Sequence, residues 1–195
     1  MTKNNLPAWD LSDLYQGIDD PKINKDIKDY NKHAAAFEKK YKGKLSLIPA
    51  ETFAHALKEL ENMTSLALKL GGFASLNMST QLNNPQATAF YQYVQEAFTA
   101  AEQHLVFFSL ELAHIDEARI STLLKNKAVA HYKPFIERRR KYRKYLLSEE
   151  LESLLLDKSL TSENFIFFCS IFFFCSAFGQ PIKYKSLFRV SLGKG

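Results

Sequence analysis

The chain has 195 residues, of which 46% are hydrophobic and 24% charged. These are the proportions of an ordinary globular domain that is long enough to bury a core of its own. Only 7 Gly and 6 Pro are present, so turn-forming residues are few, and we find neither strand-like alternation nor an internal repeat. These features predict an all-α fold.

The net charge of +5 is unevenly distributed. Residues 163–195 contain four basic residues and one acidic residue, so residues 1–162 are close to neutral. A nucleic-acid partner, which a basic protein can indicate, is therefore not expected. The first residues, Met1 to Leu11, contain no apolar stretch. We expect no signal peptide and a cytoplasmic location.

The first predicted helix begins at Asp20-Pro21. Asp20 can accept hydrogen bonds from first-turn amides, and Pro21 lacks an amide that would otherwise stay unpaired. Apolar residues then follow at steps of three and four, which places them on one helical face. Gly43 is the predicted stop. The residues of this face are Ile23, Ile27, Tyr30, Ala34, Phe37 and Tyr41.

A second helix is predicted after Pro49, with a pair of glycines, Gly71-Gly72, interrupting its apolar stripe. The two glycines indicate either the close approach of a neighbouring helix or a local bend, at a cost of about 1 kcal/mol each relative to Ala. The stripe consists of Phe53, Leu57, Leu60, Met63, Ala67, Leu70 and Ala74.

A third helix is predicted after the turn Asn83-Asn84-Pro85. Its apolar spacing runs without a break from Ala87 to Ile115, so one long helix is expected to pack antiparallel on the second. Its stripe is Ala87, Tyr91, Val94, Phe98, Ala101, Leu105, Phe108, Leu112 and Ile115. Shorter helices are predicted at Asp116–Asn126, Pro134–Tyr145 and Ser148–Lys158. Ser148 is the expected N-cap of the last one, with Glu149 and Glu150 in its first turn.

The C-terminal segment, residues 163–195, breaks these patterns. Eight of the 16 phenylalanines lie between Phe165 and Phe188, and the apolar run from Asn164 to Phe178 shows no amphipathic period. It is also shorter than the roughly 20 residues that a membrane span needs. Phe, Ile, Cys and Ser are residues that T-rich codons specify, so we interpret this segment as frameshifted or truncated sequence appended to a helical domain of residues 1–162.

Three stretches, in order, resemble the oligoendopeptidase F family of zinc metallopeptidases. The opening Leu6-Pro7-Ala8-Trp9-Asp10-Leu11-Ser12-Asp13-Leu14-Tyr15 is similar to the start of family members. The stretch Leu105–Asp116 is similar to a long-helix segment of the family. The third resemblance runs from Tyr132-Lys133-Pro134 through Arg143-Lys144-Tyr145-Leu146-Leu147-Ser148-Glu149-Glu150 to Lys158-Ser159-Leu160-Thr161. In the opening motif, Trp9, Leu11, Leu14 and Tyr15 are expected to attach the start of the chain to the helical body.

The resemblance implies the N-terminal helical lobe of a metalloendopeptidase that cleaves short peptides. Zinc would be bound by a His-Glu-x-x-His helix in a catalytic lobe, where two His one turn apart face one metal. The five His of this chain include no pair four residues apart; they are His33, His55, His104, His114 and His131. No catalytic, cofactor-binding or metal-binding residue is therefore predicted in this chain, and it is expected to be inactive alone. Oligopeptide substrate, zinc and the catalytic lobe are expected only in a full-length context.

Three further residue pairs could indicate a site, but each has a simpler interpretation. Glu111 and His114 form the Glu-x-x-His half-motif of di-iron bundles, but no second copy accompanies them, so a surface pair is the preferred interpretation. His55 and Glu59, one turn apart, are predicted to form a solvated ion pair. Cys169 and Cys175 are not spaced as Cys-x-x-Cys and are not expected to form a redox or metal site.

A basic cluster gives the strongest rival interpretation. Its residues are Arg138-Arg139-Arg140-Lys141-Tyr142-Arg143-Lys144-Tyr145. Such a cluster could contact phosphates, but solvated or interdomain salt bridges are preferred, with Glu137, Glu149 and Glu150 as the expected partners. The alternative to a peptidase fragment is a free-standing helical interaction module that uses this cluster or an exposed apolar surface.

Overall fold

A computed structural model describes residues 10–81 and 83–159. Within them the chain forms eight α-helices and no strand, which confirms the all-α prediction. The helices are α1 (Pro21–Tyr41), α2 (Ala50–Thr80), α3 (Pro85–Gln103), α4 (Val106–His114), α5 (Glu117–Leu123), α6 (Lys127–Ala130), α7 (Lys133–Lys141) and α8 (Glu149–Ser159). A short 3-10 helix spans Arg143–Tyr145. Three predictions lie outside the described residues: the anchoring role of Trp9, the domain boundary near residue 162, and the segment that contains Cys169 and Cys175.

Helix α1 begins and ends where the sequence predicts. The Asp20 carboxylate accepts hydrogen bonds from the backbone N–H groups of Gln16 (3.0 Å) and Lys22 (2.9 Å), and these bonds lower the pKa of Asp20. All six residues of the predicted apolar face are buried. Gly43 follows the helix with a φ of +75°, a left-handed conformation that glycine adopts without steric cost.

The start of the described chain attaches to α1 and α2 through Tyr15. Its side chain is 2% exposed, and its hydroxyl donates a hydrogen bond to Asp26 Oδ2 at 2.7 Å. Lys69 of α2 bonds to the same carboxylate oxygen at 3.2 Å and places Nζ 4.1 Å from the centre of the Tyr15 ring. Leu11 and Leu14 pack on the core as partly buried residues. The anchoring role predicted for these three residues is confirmed.

Helix α2 continues through Gly71-Gly72, and Gly71 marks a close approach of α3. A Cβ atom on Gly71 would lie 3.0 Å from Phe98 Cε2, whereas one on Gly72 would meet nothing within 4 Å. Of the two alternatives that the sequence left open, close approach of a neighbouring helix is correct for Gly71, and Gly72 does not take part in it. Asn84 caps α3 by accepting a hydrogen bond from Gln86 N at 3.0 Å, as expected after a tight turn.

The single long helix predicted from Ala87 to Ile115 is wrong: it is divided between α3 and α4. The backbone N–H groups of His104 and Leu105 bond to the carbonyls of Ala101 and Glu102, three residues back, which tightens the last turn. His104 Nδ1 lies 2.6 Å from Glu38 Oε2 of α1. The apolar spacing could not reveal this break because Phe107, Phe108 and Leu112 remain buried after it.

The remaining helices are short and follow the predicted order with shifted boundaries. Helix α5 ends at Leu123, three residues before the predicted end, and α6 was not predicted because its four residues are too few to show a period. Helix α7 ends at Lys141, and the 3-10 helix replaces its predicted last turn. Ser148 Oγ accepts a bond from Leu151 N at 3.4 Å, which confirms the predicted cap of α8.

Candidate functional site

The Glu-x-x-His pair on α4 has a structural role. Glu111 reaches the loop after α1, where its two oxygens accept hydrogen bonds from Gly43 N (2.5 Å) and Leu45 N (3.3 Å). His114 Nδ1 lies 2.7 Å from the carbonyl oxygen of Leu110 in its own helix. In the described part of the chain no three or more His, Cys, Asp or Glu side chains gather as metal ligands would.

The predicted His55–Glu59 ion pair is wrong. Glu59 Oε1 instead bonds to Lys40 Nζ of α1 at 2.5 Å and accepts from the Tyr41 hydroxyl at 3.1 Å. His55 is exposed. Glu59 therefore connects α2 to α1. This contact depends on how the two helices pack, so the four-residue spacing of His55 and Glu59 could not predict it.

The basic cluster is divided between inward and outward residues. Arg140 donates to the carbonyl oxygens of Leu112 (3.3 Å) and Ile115 at the end of α4, and bonds to Glu117 at 2.7 Å. Lys141, Arg143 and Lys144 are exposed. The cluster is thus no continuous basic surface, which weakens the phosphate-binding interpretation.

Two of the three acids predicted to neutralise the cluster, Glu149 and Glu137, pair with other lysines. Glu149 bonds to Lys42 of α1 at 2.6 Å. Glu137 lies 3.7 Å from Lys133, which is in α7 but not in the predicted cluster. Arg140 of the cluster pairs with Glu117, which the sequence did not indicate.

A cavity of about 210 Å³ lies where α3, α4, α7 and α8 meet the first two helices. Its wall is mostly apolar, with a carboxylate on α3, another on α8 and a guanidinium on α7. The charged residues are Glu102, Glu152 and Arg139. Among the others are Tyr30, Leu60, Ala67, Phe108, Leu146 and Leu156. This is the best candidate site among the described residues, because it combines enclosure with opposed charges.

Glu102 is the unusual group of this cavity. Its side chain is partly buried, and desolvation raises its pKa to about 7, although the charge of Arg139 acts to lower it. Burial likewise lowers the pKa of Arg139 to about 10, against the attraction of Glu102. Groups with displaced pKa values in a cavity are candidates for function.

Sequence reasoning missed this site. Glu102 lies four residues after Phe98 and three before Leu105, so it flanks the buried stripe of the predicted third helix. An acidic residue next to a buried apolar stripe is the one feature of the sequence that could have indicated this site. The stripe alone could not show that α7 and α8 fold over it, because those contacts are long-range in sequence.

The described part of the chain is all-helical, and its candidate site is the cavity beside Glu102. Residues 111–165 match the family model described as oligopeptidase F, an N-terminal domain of M3-type peptidases. This match covers the C-terminal part of α4 through α8 and confirms the resemblance to the N-terminal region of an oligoendopeptidase F-like protein. The searches of curated proteins and of solved structures returned no match. No helix in the described ranges is long and apolar enough to cross a membrane.

Proposed function

We propose that residues 1–162 form the non-catalytic helical domain of an oligoendopeptidase F-like zinc metallopeptidase that cleaves short peptides in the cytoplasm. The match at residues 111–165 carries this proposal. The all-helical architecture supports it. Zinc and the activated water would be supplied by a lobe whose residues are not in this chain, since its sequence contains no His-Glu-x-x-His.

A cleavage assay tests this function. The purified chain, supplied with Zn²⁺, is incubated with a quenched fluorescent oligopeptide, with and without a chelator. We expect no chelator-sensitive cleavage from the chain alone. Cleavage is expected when the separately produced catalytic lobe of an oligoendopeptidase F is added and docks on it.

Two results would contradict the proposal. Stoichiometric zinc with chelator-sensitive cleavage by the chain alone would show that it has its own active site. If none of the oligoendopeptidase F catalytic lobes tested binds the chain, the chain does not act as the helical domain of such a peptidase.

The frameshift interpretation of residues 163–195 has a separate test, which is to translate the downstream DNA in all frames and look for His-Glu-x-x-His.

A second candidate function is a free-standing interaction module. One observation favours it: four leucines at and before α8 are about half exposed and recur at helical spacing. They are Leu147, Leu151, Leu154 and Leu155. A defined complex with another protein, lost on Leu151→Glu but not on Lys158→Glu, would favour this function over the peptidase domain.

A further inference from the structure

Among the described residues, the carboxylate of Glu102 lines the cavity and receives no hydrogen bond from a neighbouring group. Glu152 accepts a bond from Leu147 N at 3.0 Å, so its carboxylate is partly satisfied. Within the described ranges, Glu102 has no such donor and interacts with Arg139 and Tyr30 only through charge. Glu102 is partly exposed, so a positively charged ligand in the cavity can reach its carboxylate and form a charge-assisted hydrogen bond with it.

The charge of the wall shows which partner fits. Among the described residues, two carboxylates and one guanidinium line the cavity, so one further positive charge balances the charges of this part of the wall. Tyr30 and Phe108 contribute aromatic side chains to the wall, and the face of an aromatic ring attracts cations. The aliphatic side chains around them suit an apolar body of a few carbon atoms, since the cavity is smaller than the roughly 300–1,000 Å³ of drug-sized pockets.

We propose that this cavity binds an ammonium group carried on a small branched apolar body, with Glu102 as the counter-ion and Leu60, Ala67 and Phe108 around the apolar part. A free amine, an apolar amino acid and the first residue of a peptide all present this chemistry. The proposal does not depend on the peptidase function, because it uses only groups of this chain.

A ligand series with one apolar body and four head groups tests the charge requirement. The full-length chain is titrated by calorimetry at pH 8 with 3-methylbutan-1-amine, 3-methylbutan-1-ol, 4-methylpentanoate and leucine. We expect the amine to bind at least about tenfold more tightly than the alcohol and the carboxylate, since a charge-assisted bond adds about that factor. Leucine binding at least as tightly as the amine would identify an amino acid or peptide terminus as the source. Weaker leucine binding would identify a simple amine.

A matched pair of variants tests the residue. Glu102→Gln keeps the shape and removes the charge, and it is expected to weaken amine binding at least about tenfold. Glu96→Gln makes the same change at an exposed position of the same helix and should leave binding unchanged. If Glu102→Gln folds poorly, the ligand series on the unaltered chain still tests whether the cavity requires a positive charge.

The pH profile gives a third readout. Arg139, Glu152 and Tyr30 face Glu102 from α7, α8 and α1. Because the amine stays protonated and requires ionised Glu102, its affinity should fall about tenfold for each pH unit below about 7. Equal binding of amine and alcohol, an unchanged affinity in Glu102→Gln, or no binding of the amine at millimolar concentration would each overturn the proposal.

Discussion

Helices α1 to α3 pack on one another mainly through aliphatic and aromatic side chains, with bonds between side chains such as Lys40–Glu59 beside them. Helices α4 to α8 are also attached to that bundle by side chains that bond to backbone groups. In the first region, Tyr30 and Phe98 meet edge to face with ring centres 5.4 Å apart. In the second, Arg119 donates to the carbonyls of Ser46 (2.9 Å) and Ile48 (2.5 Å), and Glu111 accepts from the loop after α1. The family match falls on this second region.

The difference shows which part of the fold tolerates change. An apolar interface loses free energy in proportion to the surface and volume that a substitution removes. An arginine or a glutamate that satisfies several backbone groups is replaceable only at the cost of leaving those groups unpaired. We therefore expect large losses from truncating core rings, and smaller but geometry-dependent losses from removing the polar connections.

Removing a core ring of the first region should have the largest effect. Phe98 is fully buried and lies against Gly71 and Tyr30. We expect Phe98→Ala to lower the free energy of unfolding by about 3–5 kcal/mol, a large share of the roughly 5–15 kcal/mol of a typical domain. Urea denaturation measures it. Leu47→Ala, at a residue 78% exposed, is the control and should change little.

The sequence predicted the first region better than the second for a physical reason. A buried stripe at three-four spacing, such as Ile23 to Tyr41, repeats along the chain and can be read locally. The break at His104, the role of Glu111 and the inward position of Arg140 depend on groups 25 to 68 residues away. Glu102 could be seen as an acid beside an apolar stripe, but its cavity could not, because α7 and α8 complete it.

The cavity acid makes stability depend on pH. The folded protein keeps the Glu102 proton up to about pH 7, whereas the unfolded chain releases it near the ordinary value of 4.5. Because the folded state then binds more protons than the unfolded state, the Glu102 contribution to stability falls as pH rises from 4.5 to 7 and is constant above. Glu102→Gln should therefore be more stable than the unaltered chain at pH 8, by up to about 3 kcal/mol.

This gain should disappear at acid pH. Near pH 4.5 the two proteins should unfold at similar urea concentrations, because Glu102 is then protonated in the folded state. Glu96→Gln is the control for a general loss of negative charge. A gain that is the same at both pH values would show that Glu102 is not the titrating group.

Removing a polar connection of the second region should cost less than removing the ring. Arg140 is 15% exposed and bonds to Leu112, Ile115 and Glu117. Arg140→Ala leaves the end of α4 without these donors, and we expect a loss of about 1.5–3 kcal/mol. The neighbouring Lys141→Ala, at an exposed residue, should change stability by less than about 0.5 kcal/mol. Equal effects of the two variants would mean that the end of α4 does not need Arg140.

The smallest effect separates two adjacent glycines and tests the packing of α2 on α3 directly. Alanine at either position gains about 1 kcal/mol of helix propensity. At Gly72 nothing lies within 4 Å of the new Cβ, so Gly72→Ala should be stabilising by about that amount. At Gly71 the new Cβ would lie 3.0 Å from the edge of the Phe98 ring, and the ring is enclosed by the core and cannot move freely.

Overpacking of this kind costs about 1–3 kcal/mol, which equals or exceeds the gain in propensity. Gly71→Ala is therefore expected to be neutral or destabilising, opposite in direction to Gly72→Ala. Thermal and urea unfolding of the two variants measure the difference. In a Phe98→Leu background the ring edge is gone, so Gly71→Ala should recover much of the benefit seen at Gly72. If Gly71→Ala is as stabilising as Gly72→Ala in the unaltered background, Phe98 of α3 does not approach α2 closely at Gly71.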